Sequence, residues 1–410
     1  MAYKISPPKE LEGCIDLPSS KSISNRALLI QALGGFTKEA KNLSSCDDTF
    51  VMRRALKTEA EVIDVMAAGT SMRFLTAYFS LKEGERTITG SKRMKERPIG
   101  VLVDALRELG ASITYEEKEG YPPLRIRGKE LIGGELTMPG HVSSQFISAL
   151  LMIGPRLKKG LLLNLEGTII SRPYIDLTLQ MISFYGAKAY WVSNRSIRVE
   201  SGNYNYKPLV VESDWSAASY WYALVALSRK SAIKLLGVTA VSWQGDAMGA
   251  ELFEQLGVET EYVDGGVRLV RKRPKVALLD TNFIKIPDLA QTFVVACALL
   301  GIPFHFTGLQ SLKVKETDRL VALQNEMRKL GFLLESDGES TLTWRGGTID
   351  SESTFSIDTY EDHRMAMAFA VASMKIDDFV INNPEVVTKS YPTFWEDLKK
   401  VGFLISEVKN

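Results

Sequence analysis

Five times along the chain an amphipathic segment ends in a large residue followed by glycine, and an alternating apolar–polar run then begins. The pairs are Leu109-Gly110, Tyr185-Gly186, Leu256-Gly257, Leu330-Gly331 and Val401-Gly402. Their glycines lie 76, 71, 74 and 71 positions apart (110 to 186, to 257, to 331, to 402). Glycine after a helix takes up the left-handed conformation with no Cβ penalty. The runs at 187–192 and 258–263 alternate as half-buried strands do. One such pair is commonplace, but even spacing from 110 to 402 marks a repeated folding unit. The period is too long for a solenoid turn and suits most of a βαβαββ unit. A degenerate further copy is expected near 55–65, where Leu56 runs on into Lys57-Thr58-Glu59-Ala60 without a glycine. The spacing predicts an α/β (α+β) fold of six units, three per domain.

Size fits that division. A chain of 410 residues with 45% apolar content buries a core large enough for two globular domains. Its 50 basic and 49 acidic side chains nearly cancel to a formal net charge of +1, which argues against a nucleic-acid surface. Small anionic ligands need only a few clustered cations and stay open. Cys14, Cys46 and Cys297 are odd in number and far apart, as are His141, His305 and His363, so neither a disulfide framework nor a metal site is expected. The first ten residues are polar and contain Pro7 and Pro8, unlike a signal peptide. The apolar stretch 293–306 is broken by Gly301 and Pro303 and is too short to span a bilayer. These features predict a soluble, cytoplasmic protein with no membrane partner.

Chemistry-bearing residues gather in short clusters. Leu17-Pro18-Ser19-Ser20-Lys21-Ser22-Ile23-Ser24-Asn25-Arg26 leads into the apolar segment 27–33. A helix starting near Ser22 would set Ser22 and Arg26 one turn apart, where free N–H groups and the helix dipole favour an anion. Taken alone, a serine four residues before an arginine is better read as a capped surface helix with a snorkelling arginine. Ala68-Gly69-Thr70-Ser71-Met72-Arg73 lets backbone N–H groups approach an anion or merely caps a helix. Arg93-Met94-Lys95-Glu96-Arg97 reads as a solvated turn or an anion clamp. Ser143-Ser144-Gln145 opens an apolar helix, and Ser143 suits its N-cap. Asp288, after Ile286-Pro287, stands where a strand gives way to a helix and could equally be a cap. Lys313-Val314-Lys315-Glu316-Thr317-Asp318-Arg319 would place Lys315 and Arg319 on one helical face, where like charges repel unless an anion bridges them.

Together with Ser171-Arg172-Pro173-Tyr174, Asp362-His363-Arg364-Met365-Ala366-Met367 and Thr388-Lys389-Ser390-Tyr391-Pro392, these clusters resemble, in order, the motifs of the EPSP synthase family, the 3-phosphoshikimate 1-carboxyvinyltransferases. The resemblance runs from Leu17 to Pro392 and has departures: Ala67 stands where the family usually has asparagine, Phe74 where proline is common, and Ser311 where some members use asparagine. The span from Asp48 to Arg73 is also short, which implies a truncated first unit.

The resemblance implies a two-domain inside-out barrel, with residues 18–211 as one domain, 1–17 plus 212–410 as the other, and the active site in the cleft between them. It implies transfer of the enolpyruvyl group of phosphoenolpyruvate to the 5-hydroxyl of shikimate 3-phosphate by addition and elimination, with no metal or organic cofactor, in a monomer. Lys21, Ser22, Arg26, Ser143, Ser144, Gln145, Ser171, Tyr174, Asp288 and Lys315 would bind shikimate 3-phosphate. Lys21, Gly69, Arg73, Arg97, Gln145, Glu316, Arg319, Arg364 and Lys389 would bind phosphoenolpyruvate. Asp288 would take the hydroxyl proton, Glu316 would serve the methylene carbon and Lys21 would assist. The sister enolpyruvyl transferase acting on UDP-N-acetylglucosamine usually carries a cysteine in the loop matching 93–98, and this chain has none there. A catalytically silent anion-binding relative would be expected to lack Asp288, Glu316 or Lys21, and all three are present.

Overall fold

The computed structural model describes residues 1–351 and 355–408. The chain divides into two compact units, one of Met1–Ser19 with Glu212–Asn410 and the other of Ser20–Val211.

Three buried helices form the centre of the first unit: Trp215–Leu227, Ala290–Leu300 and His363–Ala370. Every residue of His363–Ala370 is buried, as is all of Trp215–Leu227 except Ser216. Helices apolar on all sides have no solvent face to offer and must be enclosed. Each packs on its own sheet, and Ala290–Leu300 touches both of the others. The sheets therefore lie outside and the helices inside.

The same strand order recurs in each sheet. Leu11–Asp16 pairs parallel with Ser231–Leu236, which continues antiparallel to Gly266–Arg271 and then Val258–Val263. Ser356–Ile357 pairs parallel with Phe379–Asn382, followed antiparallel by Ala2–Ser6 and Leu404–Val408. Leu279–Asn282, Phe304–Thr307 and Leu342–Trp344 give a three-stranded version. A parallel first pair needs a crossover, and in the third sheet the buried helix Ala290–Leu300 supplies it.

The second unit repeats the plan. Helices Lys21–Gly34, Gly69–Leu81 and Ser144–Ile153 pack on one another at its centre. One sheet runs Val62–Asp64, Gly84–Thr89, Leu124–Gly128, Ser112–Tyr115, and the other Gly134–Pro139, Leu161–Glu166, Ser196–Val199, Ala189–Trp191. Among the described residues, segment 20–61 adds two helices and a single bridge from Lys41 to Val210, with no sheet of its own.

All five repeat glycines follow a helix and sit at positive φ, from 83° at Gly186 to 102° at Gly110. The strand expected at 187–192 is shorter, Ala189–Trp191, whereas the one at 258–263 keeps those bounds. No helix among the described residues is long and apolar enough to cross a membrane.

Candidate active site

In each unit several of the expected site residues lie where helices begin, among them Lys21, Gly69, Ser144, Arg319 and Arg364. A helix start carries unpaired N–H groups and the positive end of the dipole, so three of them together make a surface suited to anions.

In the unit Ser20–Val211, Ser20 rather than Ser22 opens the first helix, accepting at its hydroxyl from Ile23 N at 3.4 Å. Lys21 then lies 3.3 Å from the buried carboxylate of Asp48. Arg26 is 3% exposed and is knitted into the helices around it. Its Nε donates to Thr178 Oγ1 at 2.8 Å and its Nη2 to Ser148 Oγ at 3.0 Å and to Tyr174 O at 3.3 Å. Its Nη1 donates to the backbone Ser22 O, one turn away, at 2.9 Å. The Phe74 ring lies beneath the guanidinium, 5.5 Å from centroid to Cζ. These hydrogen-bond partners are all neutral oxygens, and burial lowers the arginine pKa to about 10.

Gly69 begins the second helix, whose N-cap position, Ala68, offers no side-chain cap. Arg73 Nη1 donates to Gly69 O at 2.9 Å. A Cβ at Gly69 would fall 2.7 Å from Arg97 Nη1 and 2.9 Å from Arg73 Nη1, so two guanidiniums converge on this glycine. Gln145, in the first turn of the third helix, donates through Nε2 to Thr70 Oγ1 at 3.1 Å and ties two helix starts together. Ser143 is that helix's N-cap, accepting from Gln145 N at 3.3 Å, and Ser144 is its first residue. Ser171 precedes helix Arg172–Phe184 in the left-handed region, φ 55°, and makes no side-chain cap.

The other unit gathers an interlocked set of ion pairs. Asp288 lies in the short turn Pro287–Leu289 and caps nothing. Its Oδ1 is 3.2 Å from both Lys315 Nζ and Arg319 Nη1, and its Oδ2 is 3.1 Å from Arg364 Nη2. Burial alone would raise its pKa, but Arg364, Lys315 and Arg319 outweigh burial and hold the carboxyl well below the usual range. Glu316 contacts Arg319 Nη2 at 3.0 Å and Lys389 Nζ at 2.8 Å. Arg319, 1% exposed, also donates to both oxygens of Asp362, at 2.7 and 3.1 Å. Burial works against its charge, yet Asp362, Glu316 and Asp288 raise its pKa above the ordinary value.

The expected helical face carrying Lys315 and Arg319 does not exist. The helix begins at Arg319, because the Asp318 side chain caps it by accepting from Leu320 N and Val321 N. Lys315 is extended before that cap, and the carboxylate of Asp288 bridges the two cations.

Sequence reasoning passed over four groups that hold this machinery. Asp48 pairs Lys21, Asp362 clamps Arg319, and Ser148 with Thr178 cradles Arg26. Asp362 had a visible signal, since it precedes His363-Arg364 and caps their helix by accepting from Arg364 N at 2.9 Å. The others lie on distant helices and carry no local signature.

Comparison with known proteins shows the family. A family model described as EPSP synthase (3-phosphoshikimate 1-carboxyvinyltransferase) matches residues 5–58 and 51–398. The 3-phosphoshikimate 1-carboxyvinyltransferase of Bacteroides fragilis is 57% identical over 403 residues, 98% of each chain. That of a Sulfurovum species is 38% identical, over 97% of this chain and 98% of the relative. The solved EPSP synthase from Acinetobacter baumannii shares the fold with a TM-score of 0.74 at 21% identity, over 99% of this chain and 100% of that one. The repeated units, the helix starts that carry the cations and these matches along the full length together place the chain in the EPSP synthase family.

Proposed function

We propose that both clusters serve the reaction of that family, transfer of the enolpyruvyl group of phosphoenolpyruvate to the 5-hydroxyl of shikimate 3-phosphate with release of phosphate. The observation that carries the assignment of roles is the Asp288–Glu316 pair, two carboxylates held by Lys315, Arg319, Arg364 and Lys389. Each substrate brings a phosphate and a carboxylate; the guanidiniums of Arg319 and Arg364 are of the kind such anions engage bidentately, and Lys315 and Lys389 add point charges.

Shikimate 3-phosphate would engage Lys21, Ser22, Arg26, Ser143, Ser144, Gln145, Ser171, Tyr174, Asp288 and Lys315. Phosphoenolpyruvate would engage Lys21, Gly69, Arg73, Arg97, Gln145, Glu316, Arg319, Arg364 and Lys389. Glu316 would deliver a proton to the methylene carbon, leaving positive character on the adjacent carbon. The 5-hydroxyl would attack there while Asp288 takes its proton. Elimination would then return a proton from the new methyl group to Glu316 and expel phosphate, which carries away the proton held by Asp288, leaving the enolpyruvyl ether. Lys21 would assist proton transfer. One acid–base group contributes about 10²–10⁴-fold, so fixed charge and positioning supply much of the rest.

Phosphate release from the purified protein tests this reading. It should require both phosphoenolpyruvate and shikimate 3-phosphate and fall by at least about 10²-fold in Asp288→Asn. Release with UDP-N-acetylglucosamine in place of shikimate 3-phosphate, or with neither acceptor, would overturn it. We place the enzyme in the cytoplasm as a monomer, and a solution mass equal to one chain checks the second statement.

A further inference from the structure

Two consecutive residues with side chains, Tyr360 and Glu361, both adopt φ 54°. The left-handed region is unfavourable for residues bearing a Cβ, so a neighbouring pair of them persists only where the surroundings hold it. They directly precede Asp362, the residue that clamps Arg319 and caps the helix carrying Arg364. Asp362 N closes the turn on Thr359 O at 2.8 Å.

What holds the turn comes from the helix that begins with Arg319. Glu326, two turns along Arg319–Lys329, is wholly buried. Its Oε1 accepts from the Tyr360 hydroxyl at 2.6 Å. Its Oε2 accepts from Asp358 N at 3.1 Å and pairs Lys329 Nζ at 2.8 Å. Lys329 in turn reaches Asp358 Oδ2 at 2.9 Å. The contacts close a ring: Arg319 leads through its helix to Glu326, Glu326 holds Tyr360, the turn delivers Asp362, and Asp362 returns to Arg319. We infer that Glu326 and Tyr360 are positioning residues, their hydrogen bond holding the left-handed turn that sets Asp362 on Arg319 and starts the helix of Arg364. A phenol donating to a carboxylate is one of the stronger neutral-to-charged contacts. Burial also raises the Tyr360 pKa to about 12, so the hydroxyl keeps its proton across the working range.

This inference rests on the assignment of Arg319 and Arg364 to phosphoenolpyruvate, and its test separates the two. In the phosphate-release assay, Tyr360→Phe should raise KM for phosphoenolpyruvate about five- to tenfold and leave KM for shikimate 3-phosphate within about twofold. Glu361 is exposed, and Glu361→Gly removes the Cβ cost of the turn without touching the ring of contacts. Placed in the Tyr360→Phe background, it should recover at least half of the lost KM. A merely structural hydrogen bond would not respond this way. Glu326→Gln keeps an acceptor for the phenol but turns an amide donor toward Asp358 N and Lys329 Nζ, so it should show the same selective rise in KM for phosphoenolpyruvate and serves if Tyr360→Phe folds poorly. Unchanged KM values, equal rises in both, or no recovery by Glu361→Gly would overturn the inference. An inactive wild type would instead overturn the assignment beneath it.

Discussion

Arg26 poses a question that one substitution can decide. Four of its five N–H groups are spent on Ser22, Ser148, Thr178 and Tyr174, so it could be a strut between helices as readily as a ligand contact. Arg26→Met separates the two roles. With its pKa lowered to about 10, the buried charge is disfavoured by roughly 3 kcal/mol at neutral pH. The four hydrogen bonds return about 1 kcal/mol each. The balance is close to zero, and removal leaves no orphan, because Thr178 Oγ1 still donates to Tyr174 O and still pairs Ser148 Oγ. Urea unfolding without ligand should therefore place Arg26→Met within about 2 kcal/mol of wild type. The pKa lies below the ordinary arginine value, so the penalty is constant at every pH under about 10 and relieved only above it. No pH dependence between 5 and 9 should trace to this group. Binding is different. An anion meeting the remaining Nη1 hydrogen and an otherwise uncompensated charge gains about 2–3 kcal/mol, so calorimetry should show shikimate 3-phosphate bound about 30- to 150-fold more weakly. A ligand-free loss above about 5 kcal/mol with unchanged affinity would make Arg26 a strut and refute the reasoning.

Gly69→Ala would put a Cβ within 2.9 Å of two buried guanidinium nitrogens, on Arg73 and Arg97. It should raise KM for phosphoenolpyruvate about tenfold or more while KM for shikimate 3-phosphate stays within about twofold; equal changes in both would count against a shared phosphoenolpyruvate clamp. Asp288 has a folded pKa below its unfolded one, so its stabilising contribution is complete above about pH 4 and drains away as pH falls further. Thermal unfolding of Asp288→Asn between pH 3 and 7 should accordingly show a shallower acid loss than wild type, and a steeper one would refute the ion-pair account.

What could be read from the sequence was whatever depends on neighbours along the chain. Gly110, Gly186, Gly257, Gly331 and Gly402 announce their helix ends because the left-handed position directly follows the last turn. Lys21, Gly69 and Ser144 are legible because a helix start needs polar or small residues whatever surrounds it. Contacts that close through space are different. Asp362 meets Arg319 across 43 residues, and Thr178 meets Arg26 across 152. The parallel pairing of Leu11–Asp16 with Ser231–Leu236 joins strands separated by the whole second unit, and nothing local marks it. The helix expected across 315–319 was a local error of another kind, which came from reading charge spacing ahead of the Asp318 cap that ends any helix reaching back past Arg319.

The pairing of Asp288 explains how a carboxylate could be a poor base at rest and an adequate one during the reaction. Three cations hold it well below the usual range, and in that state it would not take a proton from a hydroxyl. One cation at about 4 Å contributes about 4 kcal/mol at an effective dielectric of 20, equivalent to several pH units. A substrate phosphate or carboxylate that draws off Lys315 or Arg364 would therefore restore much of the base strength of Asp288 through the act of binding. Arg319 cannot be drawn off in the same way, since both oxygens of Asp362 and one of Glu316 hold it. The division is useful. A cation fixed by Asp362 keeps Asp288 and Glu316 in place, while in the proposed reaction Lys315 and Arg364 would exchange one anion for another. On this account proton abstraction waits for the ligands, and the clamp by Asp362 decides which charges can move.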